Sequence, residues 1–212
     1  EKAIIETVKA ACNIAKHTQA DEYAGLADAA LMATDFPDLS LNHPWDVDAE
    51  QAIEIALRCE QAGFDLDKAI SNSEGATVSS HQGGRVCANS HGFMAATQGS
   101  RHSISASFIA EDARGMQRDY SYTLVRDAAD LESATLVGSR AAEKTLRRLN
   151  AQTIATGHYP VIFAAEIAPS LFGKLINGIS GGALYRESSF LLNHLDKQIF
   201  PEFMHIHEQP HL

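Results

Sequence analysis

The sequence predicts an α+β fold, in which an antiparallel β-meander is flanked by helices and followed by the start of a second, α/β domain. Short Ser- and Thr-rich runs separated by glycine turns fill residues 69–126, and helical hydrophobic patterns lie on both sides of this region. A short apolar run and another helical pattern then follow. The first domain is expected at residues 1–150, and the second at 157–212, where it is truncated.

Two helices are expected before the β-region. In residues 2–17, apolar side chains recur at helical spacing. A second helix at 48–62 has Asp48 as its N-cap, Gln51 at the capping-box position and Gly63 as a terminator. The buried face of this helix is expected to hold Ile53, Ala56 and Leu57.

Residues 69–126 are predicted to form one antiparallel sheet of at least four strands. Turns are expected at 82–84, 90–92 and 113–115, where glycines interrupt the alternating runs. Many serines share one face of these strands, which indicates that this face is wet or lines a groove. A helix at 130–149 follows the sheet.

The second domain is predicted from a strand and a helix. The continuous apolar run at 160–164 is typical of a buried strand. The helix that follows is expected at 168–179 and is broken by Gly181 and Gly182. Its spacing predicts that four apolar side chains face the core, namely those of Leu171, Phe172, Leu175 and Ile176.

Composition restricts the class of protein. A formal net charge of −10 argues against a nucleic-acid or anionic-membrane partner. The basic run of Arg140, Lys144, Arg147 and Arg148 is interpreted as the wet face of a helix. No apolar run reaches the roughly 18 residues that a membrane span needs, and three scattered cysteines indicate a reducing compartment. A cytoplasmic protein is expected, and Glu1 indicates a piece of a longer chain.

No local motif forms a complete catalytic or metal site. His205 and His207 form an H-x-H pair, but a third ligand at useful spacing is missing nearby. Hydroxyls lie beside imidazoles in residues 100–103, yet no G-x-S-x-G motif accompanies them. The glycine-rich stretch at 179–182 lacks a phosphate-loop pattern and is interpreted as a helix terminator. Four histidines are expected to be turn and surface residues, namely His81, His91, His102 and His158.

Several sequence blocks, in the same order along nearly the whole chain, resemble the TldD/PmbA family and specifically its PmbA (TldE) type. Chains of this family are longer, so the sequence is expected to be an internal segment. The blocks are residues 71–75, 89–92, 101–103, 118–122, 160–163, 171–186, 189–192 and 197–201.

The resemblance implies a subunit of a cytoplasmic, zinc-dependent peptidase complex that trims unfolded peptides, such as antibiotic-peptide precursors and antitoxins. In that family the TldD-type catalytic subunit carries H-E-x-x-x-H and pairs with a PmbA protein around an enclosed cavity. Laid on residues 171–178, the motif places Gly173 and Gly178 at the two histidines and Lys174 at the glutamate. Glycine has no side-chain ligand, and an ammonium group repels a metal ion.

The expected role is therefore a non-catalytic subunit that holds no metal or other cofactor and supports a zinc-bearing TldD-type partner. Lys174, Ser180 and Arg186 are candidates for lining the shared chamber, and a homodimer is an option for the isolated chain. Two alternatives stay open. One is a non-enzymatic, peptide-binding regulator linked to DNA gyrase inhibitors, and the other is a metallohydrolase whose ligands lie outside this segment.

Overall fold

The computed structural model describes residues 1–21 and 24–210, which fold into two compact units, residues 1–149 and 150–212. The α+β prediction is confirmed. No helix in the described ranges is both long and apolar enough to cross a membrane. The elements in chain order are α1 (Lys2–His17), α2 (Ala49–Phe64), β1 (Ile70–Ala88), β2 (Met94–Asp112), β3 (Gly115–Val125), α3 (Ala134–Leu146), α4 (Pro169–Ile179) and α5 (Gly181–Tyr185), with single 3₁₀ turns at Ala29–Leu31 and Ala128–Asp130.

The sheet is an antiparallel meander of three strands in the order β1-β2-β3, so the prediction of at least four strands is wrong. The runs at 76–78 and 85–88, predicted as separate strands, belong to one strand of 19 residues. Gly83 faces Gly99 across the β1–β2 ladder, and the expected turn at 82–84 does not form. A glycine can lie within an extended strand when its backbone φ is not positive, and the φ of Gly83 is not positive.

The other two predicted turns are confirmed, and each uses a glycine with positive φ. Gly92 has φ of 86° and closes the β1–β2 turn, where the Asn89 carboxamide oxygen accepts a hydrogen bond from the Phe93 amide. Gly115 has φ of 127° and starts β3. A side chain at either position would be strained, because L-residues rarely adopt this backbone region.

Helices α2 and α3 pack on one face of the sheet and enclose the core of the first unit. The predicted buried face of α2 is wrong at two of its three positions, because Ile53 and Leu57 are each 58% exposed, whereas Ala56 is half-buried. Cys59 and Gly63 are buried instead, and this face lets α2 cross α3 closely at Gly138. The buried apolar core consists of Cys59, Ile70, Ile104, Ala106, Phe108, Ala110, Val137, Ala141 and Ala142.

Capping residues set the starts of both helices. Asp48 and Gln51 form a reciprocal capping box at the start of α2, as predicted. Helix α3 begins later than the predicted residue 130, because Ser133 caps it by accepting a hydrogen bond from the Leu136 amide.

The basic run along α3 is a solvated, ion-paired face, as interpreted from the sequence. Arg140 donates two hydrogen bonds to the Glu132 carboxylate at 2.7 and 2.8 Å, which lowers the pKa of that carboxyl below its usual range. Arg148 lies 3.3 Å from Asp119, on β3. Exposed pairs of this kind contribute little to stability, and here they neutralise the cluster.

The three thiols are expected to differ in reactivity. Burial raises the pKa of the Cys59 thiol to about 11, with a smaller contribution from the neighbouring Glu60 carboxylate, whereas Cys12 and Cys87 are exposed. Since the thiolate is the nucleophile, iodoacetamide at neutral pH should label Cys12 and Cys87 and leave Cys59 intact. Mass spectrometry of the labelled native protein would measure this. Rapid labelling of Cys59 without denaturant would contradict the packing of α2.

The second unit has less regular structure than the sequence predicts. Residues 160–164 form no strand, and Ile162 is 96% exposed, so the predicted buried strand is wrong. A strand needs a neighbouring strand for its backbone hydrogen bonds, and within residues 150–210 there is none. Helix α4 does form close to its predicted position, and Ser180 ends it and caps α5.

Candidate functional site

A loop that we call the strap, residues 36–45, lies along the side of β2 beyond the end of β3. Ser100 attaches the strap to the sheet through both its backbone and its side chain. The Ser100 amide donates to the Leu41 carbonyl at 2.9 Å, and the His43 amide donates to Ser100 Oγ at 2.7 Å. Ser100 Oγ in turn donates to the Arg126 carbonyl at 2.7 Å, which joins the strap to the end of β3.

His102 is the second attachment point of the strap, and its predicted surface position is wrong because the ring is fully buried. Its Nε2 lies 2.8 Å from the His43 carbonyl, and its Nδ1 lies 3.0 Å from Ser80 Oγ. A carbonyl only accepts, so Nε2 carries the proton and, in the neutral ring, Nδ1 accepts from the Ser80 hydroxyl. Trp45 packs edge-on against the ring, with centroids 5.5 Å apart.

The strap bows away from β2 between its two ends and leaves an open groove. Ser40 has φ of 48°, a turn supported by the Asp38 carboxylate, which accepts from the Ser40 amide at 2.9 Å. At the far end, Phe36 contacts Phe93 edge-to-face, with centroids 5.8 Å apart. The groove has a volume of about 700 Å³ and is lined by residues 36–43 of the strap and by Ala96, Thr97 and Gln98 of β2.

The open face of the sheet carries the serines noticed in the sequence. Ser103, Ser105 and Ser107 lie opposite Leu124, Tyr122 and Tyr120 of β3. The two tyrosine rings stack at 6.3 Å and are exposed. Nearby, Arg118 and then Ser107 donate to the Glu74 carboxylate, and these hydrogen bonds hold the pKa of Glu74 below its usual range. This face is wet in the described chain, as the sequence indicates.

The proposed counterpart of the metal motif lies on α4, and its three positions do not converge on one site. Gly173 has open space where a side chain would begin, whereas Gly178 is buried against Phe190 and Leu191. Lys174 is exposed. These residues do not fit a metal ion, because two have no side-chain donor and the third is cationic.

The apolar side of α4 is not buried, so the predicted core positions are wrong for the described chain. Leu171 and Phe172 are each 45% exposed, Ile176 is 58% exposed, and Leu175 is half-buried. Burial requires an opposing apolar surface, and Phe190 and Leu191 provide one at Gly178.

Ser180 and Arg186 flank the short helix α5 and do not join Lys174. Ser180 Oγ accepts from the Ala183 amide, which is an N-cap role. The Arg186 guanidinium lies beside Gly182. No hydrogen bond or ion pair links these two residues to Lys174 in the described structure, so their part in lining a chamber stays a prediction.

The histidine pair near the end of the described chain stacks its rings, as H-x-H spacing favours. The centroids of His205 and His207 are 6.5 Å apart. Among residues 1–21 and 24–210, no group of three or more His, Cys, Asp or Glu side chains is arranged to hold a metal ion.

Comparison with known proteins identifies the family to which this chain belongs. The model of the PmbA/TldA metallopeptidase central domain matches residues 42–149, and that of the PmbA/TldA metallopeptidase C-terminal domain matches residues 156–212. The chain therefore belongs to the PmbA/TldD metallopeptidase family.

Within that family the chain is similar to PmbA proteins. It is 47% identical to the Metalloprotease PmbA of Escherichia coli O157:H7 over 211 residues, and 45% identical to a PmbA homolog of Haemophilus influenzae. Each alignment covers 100% of this chain and 47% of the relative. The chain thus spans about half the length of these curated relatives.

Two solved structures share the fold. The TldE structure from Thermococcus kodakarensis matches with a TM-score of 0.64 at 18% identity, covering 91% of this chain and 43% of that chain. A protein of Thermotoga maritima, described as a candidate modulator of a DNA gyrase, matches with a TM-score of 0.66 at 22% identity, covering 72% of this chain and 35% of the other. At these identities the similarity shows the fold alone.

Proposed function

We propose that this chain is part of a PmbA-type subunit that supports a metal-bearing, TldD-type partner in a cytoplasmic complex that processes unfolded peptides. In this proposal the partner holds the catalytic metal, expected to be zinc, and this subunit completes the peptide-binding chamber. Antibiotic-peptide precursors and antitoxins are the proposed substrates.

The observation that carries the proposal is the chemistry of α4. In the resemblance to the TldD type, the two histidines and the glutamate of the metal motif fall on Gly173, Gly178 and Lys174, none of which ligates a cation. The divergent surroundings of the two glycines add a second argument. Gly173 opens to solvent and Gly178 is packed, so restoring one ligand would not rebuild a site.

Reconstitution with the partner tests the proposal. The full-length protein, purified alone, is expected to show no peptidase activity on an unfolded peptide, and addition of a TldD-type protein is expected to produce it. Co-purification of the two proteins should accompany the activity. Stable association with gyrase inhibitors without any TldD-type partner would instead support the regulator alternative. Activity of the isolated full-length protein would support the metallohydrolase alternative.

Replacement of Lys174 with alanine is expected to leave both stability and turnover nearly unchanged. The side chain is exposed, so the free energy of unfolding should change by at most about 0.5 kcal/mol. The kcat of the reconstituted complex should be unchanged, because this lysine is neither a metal ligand nor a general base in the proposal. Peptidase assays and urea unfolding measure the two effects. As a control for complete loss of activity, the glutamate of the metal motif in the TldD-type partner is replaced with glutamine.

A large loss of activity in Lys174→Ala with unchanged stability would contradict the support-subunit proposal. It would mean that the lysine ammonium acts on the peptide directly, for example by pairing with a substrate carboxylate.

A further inference from the structure

We propose that the open face of the sheet recognises an acidic segment of a peptide through side chains. Carboxylates of the peptide pair with Arg101 and Arg126, which we call the arginine pair, and an apolar residue of the same peptide packs on Tyr122. The inference rests on the proposed peptide-processing function and adds a preference for charge that this function does not by itself require.

The first argument is that both arginines project from the face of the sheet that no helix covers. Arg101 is exposed and precedes the buried His102, so its side chain points to the open face. Arg126 directly follows Val125, which pairs with His102 at the end of β3. The Arg126 Nη1 lies 3.5 Å from the point where a Cβ of Gly99 would be, and Gly99 shares the face of Arg101 because the two are two residues apart on β2. The two guanidinium groups therefore occupy the same part of the open face.

The second argument is that the arginine pair is not neutralised by the protein itself. Within residues 1–21 and 24–210, no carboxylate forms an ion pair with Arg101 or Arg126. The basic run along α3, by contrast, is ion-paired. Asp127, which follows Arg126 in the chain, lies 3.4 Å from Nδ1 of His43 instead. Like charges on neighbouring strands repel each other, so this arrangement favours an anion that contacts both guanidinium groups.

The charge around the arginine pair is positive, although the net charge of the chain is −10. Arg85 is exposed and lies opposite Thr97, on the same side of the β1–β2 hairpin, so it adds a third cation. The carboxylate of Glu74 is paired with Arg118, and Asp38 in the neighbouring groove accepts a hydrogen bond from a strap amide. An acidic segment is therefore favoured over a basic one on this part of the face.

The third argument is the surface next to the arginine pair. Ser103 and Ser105 follow Arg101 on the same face, and Tyr122 lies opposite Ser105. The Tyr122 ring is 46% exposed and stacks on Tyr120. Four residues of strand separate Arg101 from Ser105, which is a distance of about 13 Å. An extended peptide spans this distance in four residues, so an aromatic residue four positions from an acidic one matches the face.

A nucleic acid fits this face less well than an acidic peptide does. Single strands also bind arginines and stacked aromatic rings, but they carry a phosphate at every nucleotide and need positive charge along their whole length. Here the unpaired arginines lie at one end of the face. The Glu74 carboxylate lies at the tyrosine end, where it accepts a hydrogen bond from Ser107, opposite Tyr120.

Binding of labelled peptides to the full-length protein tests the inference. The probe is a fluorescein-labelled serine–glycine peptide that carries two adjacent glutamates and, four positions further on, a phenylalanine; binding is followed by fluorescence anisotropy. Lysines replace the glutamates in one comparison peptide, and serine replaces the phenylalanine in another. The variants are Arg101→Gln, Arg126→Gln and Tyr122→Ala. Arg58→Gln is the matched control, because Arg58 is an exposed arginine of α2, on the other side of the sheet.

Arg101→Gln and Arg126→Gln are each expected to weaken binding of the glutamate peptide about three- to fivefold, the upper range for one exposed ion pair, and the double variant about tenfold. Arg58→Gln should bind like the natural protein. The lysine peptide should bind more weakly than the glutamate peptide, and added salt should reduce this difference. Tyr122→Ala should weaken binding of the phenylalanine peptide and leave that of its serine counterpart unchanged. The midpoint of urea unfolding should not fall in the arginine variants, because both side chains are exposed.

Four results would overturn the inference. They are no binding of the glutamate peptide, equal binding of the glutamate and lysine peptides, unchanged binding by the double arginine variant, and tighter binding of a single-stranded thymidine oligonucleotide than of the peptide. The last result, if lost in the double variant, would identify a nucleic-acid surface. None of these results affects co-purification with a TldD-type partner, so that experiment separates failure of this site from failure of the proposed function.

Discussion

Replacement of Gly138 with alanine is expected to destabilise the first unit by about 3 kcal/mol, at the upper end of the usual cost of overpacking. A Cβ at this position of α3 would overlap the carbonyl oxygen of Cys59 in α2, and Ala62 lies next to it. Backbone atoms cannot rotate away, so the two helices must separate. The chain should then unfold at a lower urea concentration, with circular dichroism as the readout.

Gly173 of α4 supplies the matched control, since it is also a helix glycine but has no atom within 4 Å of a new Cβ. Gly173→Ala should therefore stabilise α4 by up to about 1 kcal/mol, because alanine is the better helix former. If both substitutions had the same small effect, the close crossing of α2 and α3 would be contradicted.

Truncation of Phe108 to alanine is expected to cost about 3–5 kcal/mol, the range for emptying a buried aromatic site. The ring is fully buried and packs edge-to-face against Phe64, with centroids 5.7 Å apart. It also fills the space above Gly63, so the cavity would lie at the centre of the contact between α2 and the sheet. The midpoint of urea unfolding measures the loss.

Tyr120→Ala is the control for this truncation, because Tyr120 lies on the open face of the sheet and is 60% exposed. Its effect should be small, within about 0.5 kcal/mol apart from the stacking with Tyr122. A loss of less than about 1 kcal/mol in Phe108→Ala would mean that the core is not organised around this ring.

The sequence predicts the local structure of this chain well where the signal is itself local. Helix α1 spans Lys2–His17, as predicted, and the Asp48–Gln51 capping box forms with both hydrogen bonds. The turns at Gly92 and Gly115 need a positive φ, which glycine supplies at little cost. Such features depend on a few neighbouring residues and on little else.

Features that depend on a distant neighbour were predicted less well. Gly83 resembles a turn residue, but Gly99 lies opposite it and allows the strand to continue. The apolar residues of α4 and of 160–164 were expected to be buried, yet their burial depends on an opposing surface that residues 150–210 do not offer. Hydrophobicity predicts that such a surface exists and does not specify what provides it.

Residue type alone does not predict the strap site, because the position of His102 along β2 decides that its ring is buried. Ile104, Ala106, Phe108 and Ala110 alternate as a buried face, and continuing that alternation backwards along β2 reaches His102 and Ser100. This signal is present in the sequence. The bow of the strap at Ser40, by contrast, depends on a left-handed backbone conformation that serine rarely adopts, and so it could not be predicted.

Metal content tests the central proposal most directly, namely that the subunit to which this chain belongs holds no catalytic metal of its own. The full-length protein is purified without its partner and without an affinity tag, dialysed against a weak chelator, and examined by elemental analysis. We expect no stoichiometric zinc or other transition metal, because Gly173, Lys174 and Gly178 offer no donor. One tightly held metal ion per chain would contradict the proposal and would favour a metallohydrolase with its own site.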